Sequence, residues 1–393
     1  MSQETNKILK MLEEGKISSK EAESLLSALG ETRGRHMDFG IDHSQLRDEM
    51  DCLRENIHQI NPGRIVAEAM AGVKDGLKGL KDIHAEIDVL RGSEKALEKK
   101  VITVPAQGVT ALSVSQPRSD FEITGTDGDQ IVIRADIQVW AEEQDEAREK
   151  LKSLDITTEN ESGTLRIKVD GPPWTKKRRA KVDFTIEMPR SIMPEISTAS
   201  GGISVSGLQN GARLETASGD ISVADSQGPI GLSSASGDIG AARCRKAELT
   251  ARTASGDIEF ADCAGQASFQ TVSGDVAIGL DGQVQGQTVS GDIEVVSLES
   301  GGFKIRSTSG DVRFQGRLGG AGDWLVATVS GDVDLELADG SAARLEAGSV
   351  SGEIDCELEL TELRQTNRRL SGRLGQGQGL LEIKTVSGDI NIH

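Results

Sequence analysis

Seven aspartates recur at a nearly constant spacing in the second half of the chain, and carboxylates are groups that can bind cations or cap turns. Each closes a Ser-Gly-Asp triplet, and neighbours in the series are 17 to 21 residues apart. The seven are Asp220, Asp238, Asp257, Asp275, Asp292, Asp311 and Asp332. A carboxylate in such a turn can accept hydrogen bonds from nearby backbone amides. Stacked Asp-bearing turns can also bind Ca²⁺, as they do in nonapeptide β-roll repeats.

The spacing favours the capping role over a calcium site. Nonapeptide repeats follow a GGxGxDxUx pattern, whereas this chain has one carboxylate per turn at about twice that spacing. Neighbouring carboxylates would repel by about 1 kcal/mol in water, and an amide hydrogen bond of roughly 1.5–3 kcal/mol offsets that cost. We expect turn capping without a cofactor, and a calcium ladder is the alternative. Glu353 continues the series, and Arg373 is expected between Glu353 and Asp389, where it would neutralise both.

The aspartates belong to a repeat whose elements are indicated by the apolar residues around it. In one register, Ser-Gly recurs eleven times from Ser200 to Ser387, at intervals of 16 to 21 residues. Apolar residues stand three and five positions after nearly every serine, as Ile203 and Val205 do after the first. This alternation predicts two short strands per repeat, joined at a Ser-Gly-Asp corner where glycine permits positive φ.

A two-strand unit of this size cannot bury its own apolar face, but a stack of such units can. We therefore predict a mainly β protein with a parallel β-solenoid of about eleven rungs over residues 195–393. Residues 101–194 are expected to form a β-rich capping domain with one helix. Residues 1–31 are expected to form a helical hairpin, and residues 32–100 a helical linker with an amphipathic or coiled-coil seam.

A basic loop within the capping domain is a second candidate surface. Its members are Trp174, Lys176, Lys177, Arg178, Arg179 and Lys181. A solvated loop between two strands is one interpretation. Contact with an anionic membrane is a second, because each basic residue contributes about 1 kcal/mol there and an interfacial Trp adds to it, and contact with nucleic acid is a third. The helices of residues 1–100 are an alternative docking surface for lipid or for a protein partner.

Composition disfavours several classes of protein. The formal net charge of −19 disfavours nucleic acid as a partner. No apolar run is long enough for a membrane helix and the first residues do not resemble a signal peptide, so we expect a cytoplasmic protein, with association at the inner face of the membrane as an option. Four scattered cysteines are expected to stay reduced, without a zinc site. The repeats have no histidine before His393 and no tyrosine, so we expect no enzymatic activity.

The chain stops on a strand with the full repeat pattern. Ile390 and Ile392 occupy the two apolar columns, and only His393 follows. A solenoid end without a cap exposes strand edges that other chains can join. We expect a homo-oligomer formed through residues 387–392, most simply a two-fold dimer whose terminal strands meet.

The order of these segments resembles that of a known bacterial family. A hairpin "ILKMLEEGKISSKEAESLLSALG" precedes a β-rich segment with "ITGTDGDQIVIRA" and then repeats of the "TASGDISV" type. This order is similar to that of the β-strand-repeat proteins named "putative adhesins", of the LiaX and YvlB type, whose hairpin is a SHOCT-like domain. The resemblance implies a non-enzymatic bacterial protein associated with cell-envelope stress. From the segments together we expect a scaffold that docks to a membrane or a regulatory partner through its N-terminal helices or its basic loop. A self-assembling structural protein and a surface adhesin are the alternatives.

Overall fold

The computed structural model describes residues 94–172, 180–319 and 321–393. The predicted hairpin, residues 32–93 of the predicted linker and all of the basic loop except Lys181 lie outside these ranges. The described part is mainly β, with 27 strands and one helix, which confirms the predicted class. The one helix of this part is not long and apolar enough to cross a membrane.

Eight strands and the helix make up the first section of the described chain. They are β1 (Glu94–Pro105), β2 (Ala111–Arg118), β3 (Phe121–Thr126), β4 (Gln130–Ala141), α1 (Gln144–Lys152), β5 (Asp155–Glu161), β6 (Thr164–Asp170), β7 (Ala180–Pro189) and β8 (Met193–Ser200). Strand β1 pairs antiparallel with β4 along its whole length. The prediction of helix up to residue 100 is therefore wrong from Glu94 onward, because this stretch completes a strand pair and Ala96 enters the core.

The helix α1 packs against β1 and β4. Asp145 and Glu146 lie in its first turn and Lys150 in its last turn, an arrangement that the helix dipole favours. Ala147 and Leu151 are buried, since residues four positions apart share one face of a helix. The predicted single helix of the β-rich section is thus present.

The remaining strands follow the repeats. They are β9 (Ile203–Ser206), β10 (Ala212–Ser218), β11 (Ile221–Ala224), β12 (Gly228–Ser236), β13 (Ile239–Ala242), β14 (Arg245–Arg252), β15 (Ile258–Gln270), β16 (Val276–Ser290), β17 (Ile293–Ser300), β18 (Gly302–Ser309), β19 (Val312–Leu318), β20 (Asp323–Ala327), β21 (Val333–Leu337), β22 (Ala343–Ser349), β23 (Ile354–Cys356), β24 (Thr361–Thr366), β25 (Arg369–Leu374), β26 (Leu380–Thr385) and β27 (Ile390–Ile392).

Consecutive repeats pair in parallel, and each contributes one strand before its Ser-Gly-Asp corner and one after it. The pre-corner ladder includes β8, β10, β12 and β14, and the post-corner ladder includes β9, β11 and β13. Pairing is in register, so that Ile221 stands beside both Ile203 and Ile239. Strands β15 and β16 run through both ladders and join them.

The β-rich section before residue 195 is continuous with these ladders. Strand β2 pairs in parallel with β8, and β3 pairs in parallel with β9. Ser119 and Asp120 occupy the corner between β2 and β3. Residues 111–126 therefore have the arrangement of a repeat, although they lack the Ser-Gly-Asp triplet.

The apolar columns of the repeats form a continuous core. In β11, Ile221 and Val223 are each 1% exposed, and the residues that alternate with them face outward. The largest fully buried side chains among the repeats are Trp324, Phe260, Phe269, Phe303 and Phe314. Each such burial contributes about 1.5–3 kcal/mol, so the stability of the stack is distributed along its length.

The last repeat does not lie at the end of the stack. Strand β26 lies between β20 and β22, and β27 lies between β21 and β23. Ile390 pairs with Val333 on one side and with Ile354 on the other. The prediction that Ile390 and Ile392 form a bare oligomer edge is therefore wrong, because both are fully buried and both sides of their strand are occupied.

A polar hairpin of β24 and β25 occupies the position beyond β22. Ser371, the tenth serine of the repeat pattern, lies not at a corner but within β25, which pairs antiparallel with β22. Arg373 stands beside Arg344 and Thr361, not between Glu353 and Asp389. All residues of β24 are exposed, so this hairpin has little apolar surface to bury. Strands β26 and β27 carry the full apolar pattern and take the interior position instead.

Candidate functional site

The stacked corners are the most regular polar feature of the repeats. Gly274 has a φ of +146°, and a Cβ atom added there would lie 2.1 Å from the carbonyl oxygen of Gly256. A Cβ atom added to Gly291 would lie 2.2 Å from the carbonyl oxygen of Gly274. The corner therefore requires glycine both for its backbone angle and for the close approach of consecutive repeats.

Each corner aspartate accepts a hydrogen bond from the backbone of the next repeat, and we call this series the aspartate relay. Oδ1 of Asp220 accepts the amide N–H of Asp238 at 3.0 Å, and Oδ1 of Asp238 accepts that of Asp257 at 2.9 Å. The same bond recurs at 2.8 or 2.9 Å from Asp257 to Asp332. The hydrogen bonds expected from turn capping are thus present, and they connect adjacent repeats.

The relay follows the spatial order of the repeats where that order departs from the sequence. The amide of Asp389 donates to Oδ1 of Asp332, and the amide of Glu353 donates to Oδ1 of Asp389, both at 2.8 Å. Glu353 is thus a member of the relay, as predicted. Arg373 does not belong to it, because its strand pairs antiparallel outside the corner.

The relay also includes aspartates that the repeat pattern did not reveal. Oδ1 of Asp183 accepts the amide of Asp120, and Oδ1 of Asp120 accepts the amide of Gly202, both at 2.9 Å. Lys181 joins the two carboxylates, with its Nζ atom 2.6 Å from Asp120 and 3.0 Å from Asp183. The first section of the described chain therefore shares the corner chemistry of the repeats.

Lys181 is the member of the predicted basic surface that the structure describes, and it is engaged in these ion pairs. Burial opposes its charge, but the hydrogen bonds to Asp120 and Asp183 raise the pKa of Lys181. Burial also opposes the charge of Asp120, but Lys181 and the Gly202 amide lower the pKa of that carboxyl group. The other members of that surface lie outside the described residues: Trp174, Lys176, Lys177, Arg178 and Arg179.

A groove of about 590 Å³ runs beside the corners on the outer face of the post-corner ladder. Five corner aspartates line it: Asp257, Asp275, Asp292, Asp311 and Asp332. The outward-facing residues two positions further on also line it: Glu259, Ala277, Glu294, Arg313, Asp334 and, in the inserted strand, Asn391. Asp220 and Asp238 belong to the relay but not to this lining. We call this surface the acidic groove.

The acidic groove has a strong excess of negative charge, with eight carboxylates and one arginine in its lining. The guanidinium of Arg313 lies 3.6 Å from the Asp334 carboxylate, in an exposed pair that contributes little to stability. Ala277 stands between Glu259 and Glu294 in the ladder and leaves space between their longer side chains. A concave surface of one charge sign attracts ligands of the opposite sign.

The geometry suits a ligand with several spaced positive charges. Neighbouring corner carboxylates belong to strands about 4.8 Å apart. In Asp275, for example, Oδ1 is already bonded to the amide of Asp292. Among the residues that the structure describes, no group of three or more His, Cys, Asp or Glu side chains could hold a metal ion.

Some of what the sequence analysis missed has a visible signal. Asp120 stands directly before an alternating apolar stretch, as Asp220 does, although no glycine precedes it. At the other end, Arg373 replaces the aspartate of the repeat and Gln376 interrupts the second apolar column. These departures mark the segment that leaves the stack. The acidic groove itself has no such signal in the sequence, because it depends on the strand register that places Glu259, Glu294 and Asp334 beside the corners.

Two parallel ladders joined at stacked corners define a β-strand-repeat protein. Residues 93–289 and 283–393 match the family model described as Toastrack DUF4097, and the chain belongs to this family. Residues 3–34 match a SHOCT-like domain, which agrees with the resemblance of the N-terminal hairpin. No curated protein matches the chain.

Several solved structures are similar to the chain at low sequence identity. A "putative adhesin" from Parabacteroides distasonis is 14% identical, with 62% of this chain and 98% of that chain covered and a TM-score of 0.44. A "putative adhesin" from Parabacteroides merdae is 12% identical, with 61% and 95% covered and a TM-score of 0.34. A "putative lipid binding protein" from Parabacteroides distasonis is 13% identical, with 62% and 95% covered and a TM-score of 0.25. Similarity at this level does not define a ligand.

Proposed function

We propose that this protein is a non-enzymatic binding scaffold whose acidic groove docks a positively charged segment of a protein partner. The observation that carries the proposal is the lining of eight carboxylates and one arginine along consecutive repeats. Hydrogen bonds between repeats hold the corners in place, so little conformational entropy is lost when a ligand binds. The repeats thereby act as a rigid support for a spaced row of charges.

Binding is favoured over catalysis by the way the corner carboxylates are used. The Oδ1 atoms of Asp257 and Asp275 accept backbone amides, and the same contact recurs at the neighbouring corners. A general acid or base needs a proton-exchanging group aimed at a substrate, and acid and base roles need two different environments. A row of equivalent carboxylates provides neither a group aimed at a substrate nor two different environments.

An extended segment rich in Lys or Arg fits the groove by length and charge. Five repeats span roughly 19 Å at a strand spacing of about 4.8 Å. Alternate side chains of an extended peptide lie roughly 7 Å apart, so about three basic side chains could face the groove at once. Salt should weaken this interaction, because exposed charges are screened over about 8–10 Å at ordinary ionic strength.

We further propose that any docking to an anionic membrane uses residues 1–100 or the basic loop, because such a surface would repel the acidic groove. The SHOCT-like match at residues 3–34 supports a separate docking module at this end of the chain. In this proposal the protein acts in the bacterial cytoplasm at the inner face of the membrane, where it links a regulatory partner to cell-envelope stress. Nucleic acid is not expected as a partner, given the net charge of −19.

Self-association is the second candidate function, and an exposed strand edge favours it. Strand β24 pairs with β25 on one side, and all of its residues are exposed, with Leu363 at 50%. Edges of this kind can pair with another copy. Light scattering should show a dimer or larger species for the full-length chain and a monomer for Leu363→Lys. A wild type that is monomeric at tens of micromolar would rule out this candidate.

The test of groove binding uses a fluorescently labelled peptide of alternating Lys and Ser and full-length protein. One variant carries Glu259→Gln, Glu294→Gln and Asp334→Asn in the groove. Its control carries Glu248→Gln, Asp339→Asn and Glu362→Gln, exposed sites outside the groove with the same change of net charge. We expect wild type and control to bind alike, and the groove variant to bind about tenfold more weakly, since each exposed pair contributes roughly 0.2–1 kcal/mol.

Two results would contradict this proposal. If the control variant loses as much affinity as the groove variant, the peptide responds only to total charge. If the wild type does not bind the peptide at low salt, the groove does not recognise spaced cations.

A further inference from the structure

Two cysteines that are distant from each other in the sequence occupy equivalent positions in adjacent repeats. They belong to the second arch, which we define as the turn that follows each post-corner strand. The residue before each of them has positive φ, 53° at Arg243 and 53° at Asp262, and Asp225 in the preceding repeat has 52°. The next residue in each turn is Ser226, Cys244 or Cys263. The three side chains therefore form one column of the stack.

The side chains of this column make the same local contact. Oγ of Ser226 donates to the carbonyl of Ala224 at 2.8 Å, and the Cys244 thiol donates to that of Ala242 at 3.6 Å. The Cys263 thiol donates to the carbonyl of Ala261 at 3.4 Å. Serine and cysteine therefore make the same capping contact in this arch. Serine is for this reason a conservative replacement for either cysteine.

Strand register places the two cysteines next to each other. Arg245 and Ala264, which follow them, are paired in the ladder, and the Ala264 amide donates to the carbonyl of Cys244 at 2.8 Å. The Cys263 sulfur also lies 3.6 Å from the carbonyl of Ala241, in the repeat of Cys244. Neighbouring strands lie about 4.8 Å apart, inside the range of roughly 4.4–6.8 Å that Cα atoms of a disulfide span.

The two thiols differ in acidity, which suits one of them to act as nucleophile. The neighbouring Cys263 side chain and burial raise the pKa of Cys244. The neighbouring Cys244 side chain lowers the pKa of Cys263 to about 7, against the effect of burial. The thiolate is the reactive form of cysteine, so Cys263 is the group that reacts first with an oxidant.

We propose that Cys244 and Cys263 are a redox modification site, in which hydrogen peroxide or a similar small two-electron oxidant forms a disulfide between two adjacent repeats. The Cys263 thiolate attacks one peroxide oxygen, the O–O bond breaks, and the leaving hydroxide takes up a proton to become water. The resulting sulfenic acid is attacked by the Cys244 sulfur, the S–O bond breaks, and the proton of Cys244 leaves with the second water. The two thiols lose two electrons in total, and one peroxide is reduced to two waters.

Burial determines which oxidants reach the site. Cys244 is 0% exposed and Cys263 is 2% exposed, so an oxidant reaches them only when the arch opens locally, and peroxide needs a smaller opening than a large thiol reagent does. The disulfide then joins two residues that are 19 positions apart and restrains the unfolded chain. Oxidation is expected to raise the midpoint of thermal unfolding.

The test uses full-length protein with Cys52→Ser and Cys356→Ser, so that only this pair can react. The protein is treated with peroxide and digested without reductant, and the masses of the peptides are measured by mass spectrometry. We expect one cross-linked species joining the peptides of Cys244 and Cys263, lighter than their sum by two hydrogens and separated by dithiothreitol. Adding Cys263→Ser should abolish the cross-link and the rise in the unfolding midpoint.

Three outcomes would overturn the proposal. The thiols could remain unreacted at peroxide concentrations that oxidise free cysteine in solution, or they could end as sulfinic or sulfonic acids without a cross-link. The unfolding midpoint could also rise equally in the Cys263→Ser protein, which would place the effect elsewhere. Circular dichroism checks that the serine variants fold, and Cys244→Ser provides an independent second variant because Ser226 makes the same contact.

Discussion

At the residue scale, the corners depend on backbone geometry more than on the carboxylates they display. The glycines at corners such as Gly274 and Gly291 combine positive φ with a close approach to the preceding repeat that leaves no room for a side chain. The aspartate then uses one oxygen to bind the amide of the following repeat, as Asp257 does with Asp275. This use of Ser-Gly-Asp explains why the triplet recurs so regularly in the sequence.

A glycine substitution tests this account of the corner. Gly274→Ala introduces a Cβ atom 2.1 Å from a carbonyl oxygen at a φ of +146°, so we expect a loss of at least about 2–3 kcal/mol in the free energy of unfolding. Gly231→Ala is the control, because no atom lies within 4 Å of the added Cβ and φ is not positive. It should change stability by less than about 1 kcal/mol. Urea titration measures both, and equal effects would show that the corner tolerates side chains.

The ion pairs of Lys181 predict how stability depends on pH. The pKa of Asp120 is lowered from its usual 3.8, so its contribution is fully present above that value and is lost as the pH falls through the lower folded value. The pKa of Lys181 is raised from 10.5, so its contribution is present below that value and is lost as the pH rises through the higher folded value.

Asp120→Asn should remove the acidic part of this dependence. We expect the variant to be less stable than wild type at pH 7, and the difference to shrink as the pH is lowered below about 3.8. Asp339→Asn, at an exposed site, should follow the wild-type profile. A constant difference between Asp120→Asn and wild type from pH 7 to pH 2 would show that the carboxylate charge contributes nothing.

At the scale of strands, the sequence predicts the repeats well and their order at the end poorly. Corner spacing and alternation of apolar residues are local signals, and they predict two strands per repeat, although β15 and β16 each continue from one ladder into the other. The position of β26 and β27 depends on competition between segments for one interior place in the stack. That competition is decided by the polar hairpin β24/β25, whose lack of apolar surface is seen only when burial is compared across distant segments.

The inserted strand has a direct consequence for stability. Ile390→Ala should cost about 2–5 kcal/mol in the free energy of unfolding, because the side chain is fully buried between two neighbouring strands. Asn391→Ala, at the adjacent outward-facing position, should cost much less. If Ile390→Ala changed only the association state, with stability unaffected, the last strand would have to lie at an edge of the stack after all.

At the scale of the whole molecule, the parallel register of the strands places carboxylates that are far apart in the sequence on one surface. One or two carboxylates per repeat are unremarkable in the sequence, yet stacking brings eight of them into a single groove. The relay fixes the spacing of the corners, and the apolar core holds the repeats in register. The site could not be predicted from the sequence, because Glu259, Glu294 and Asp334 are too far apart along the chain to indicate a common surface.

The claim that the acidic groove docks a basic segment is tested most directly by zero-length cross-linking. A carbodiimide couples the lysines of the alternating Lys-Ser peptide to carboxylates that they contact, and mass spectrometry of the full-length protein identifies the coupled residues. Our account predicts coupling concentrated on Glu259, Glu294 and Asp334 and reduced by salt. Coupling spread evenly over the exposed carboxylates, or concentrated at sites outside the groove such as Glu248 and Asp339, would contradict it.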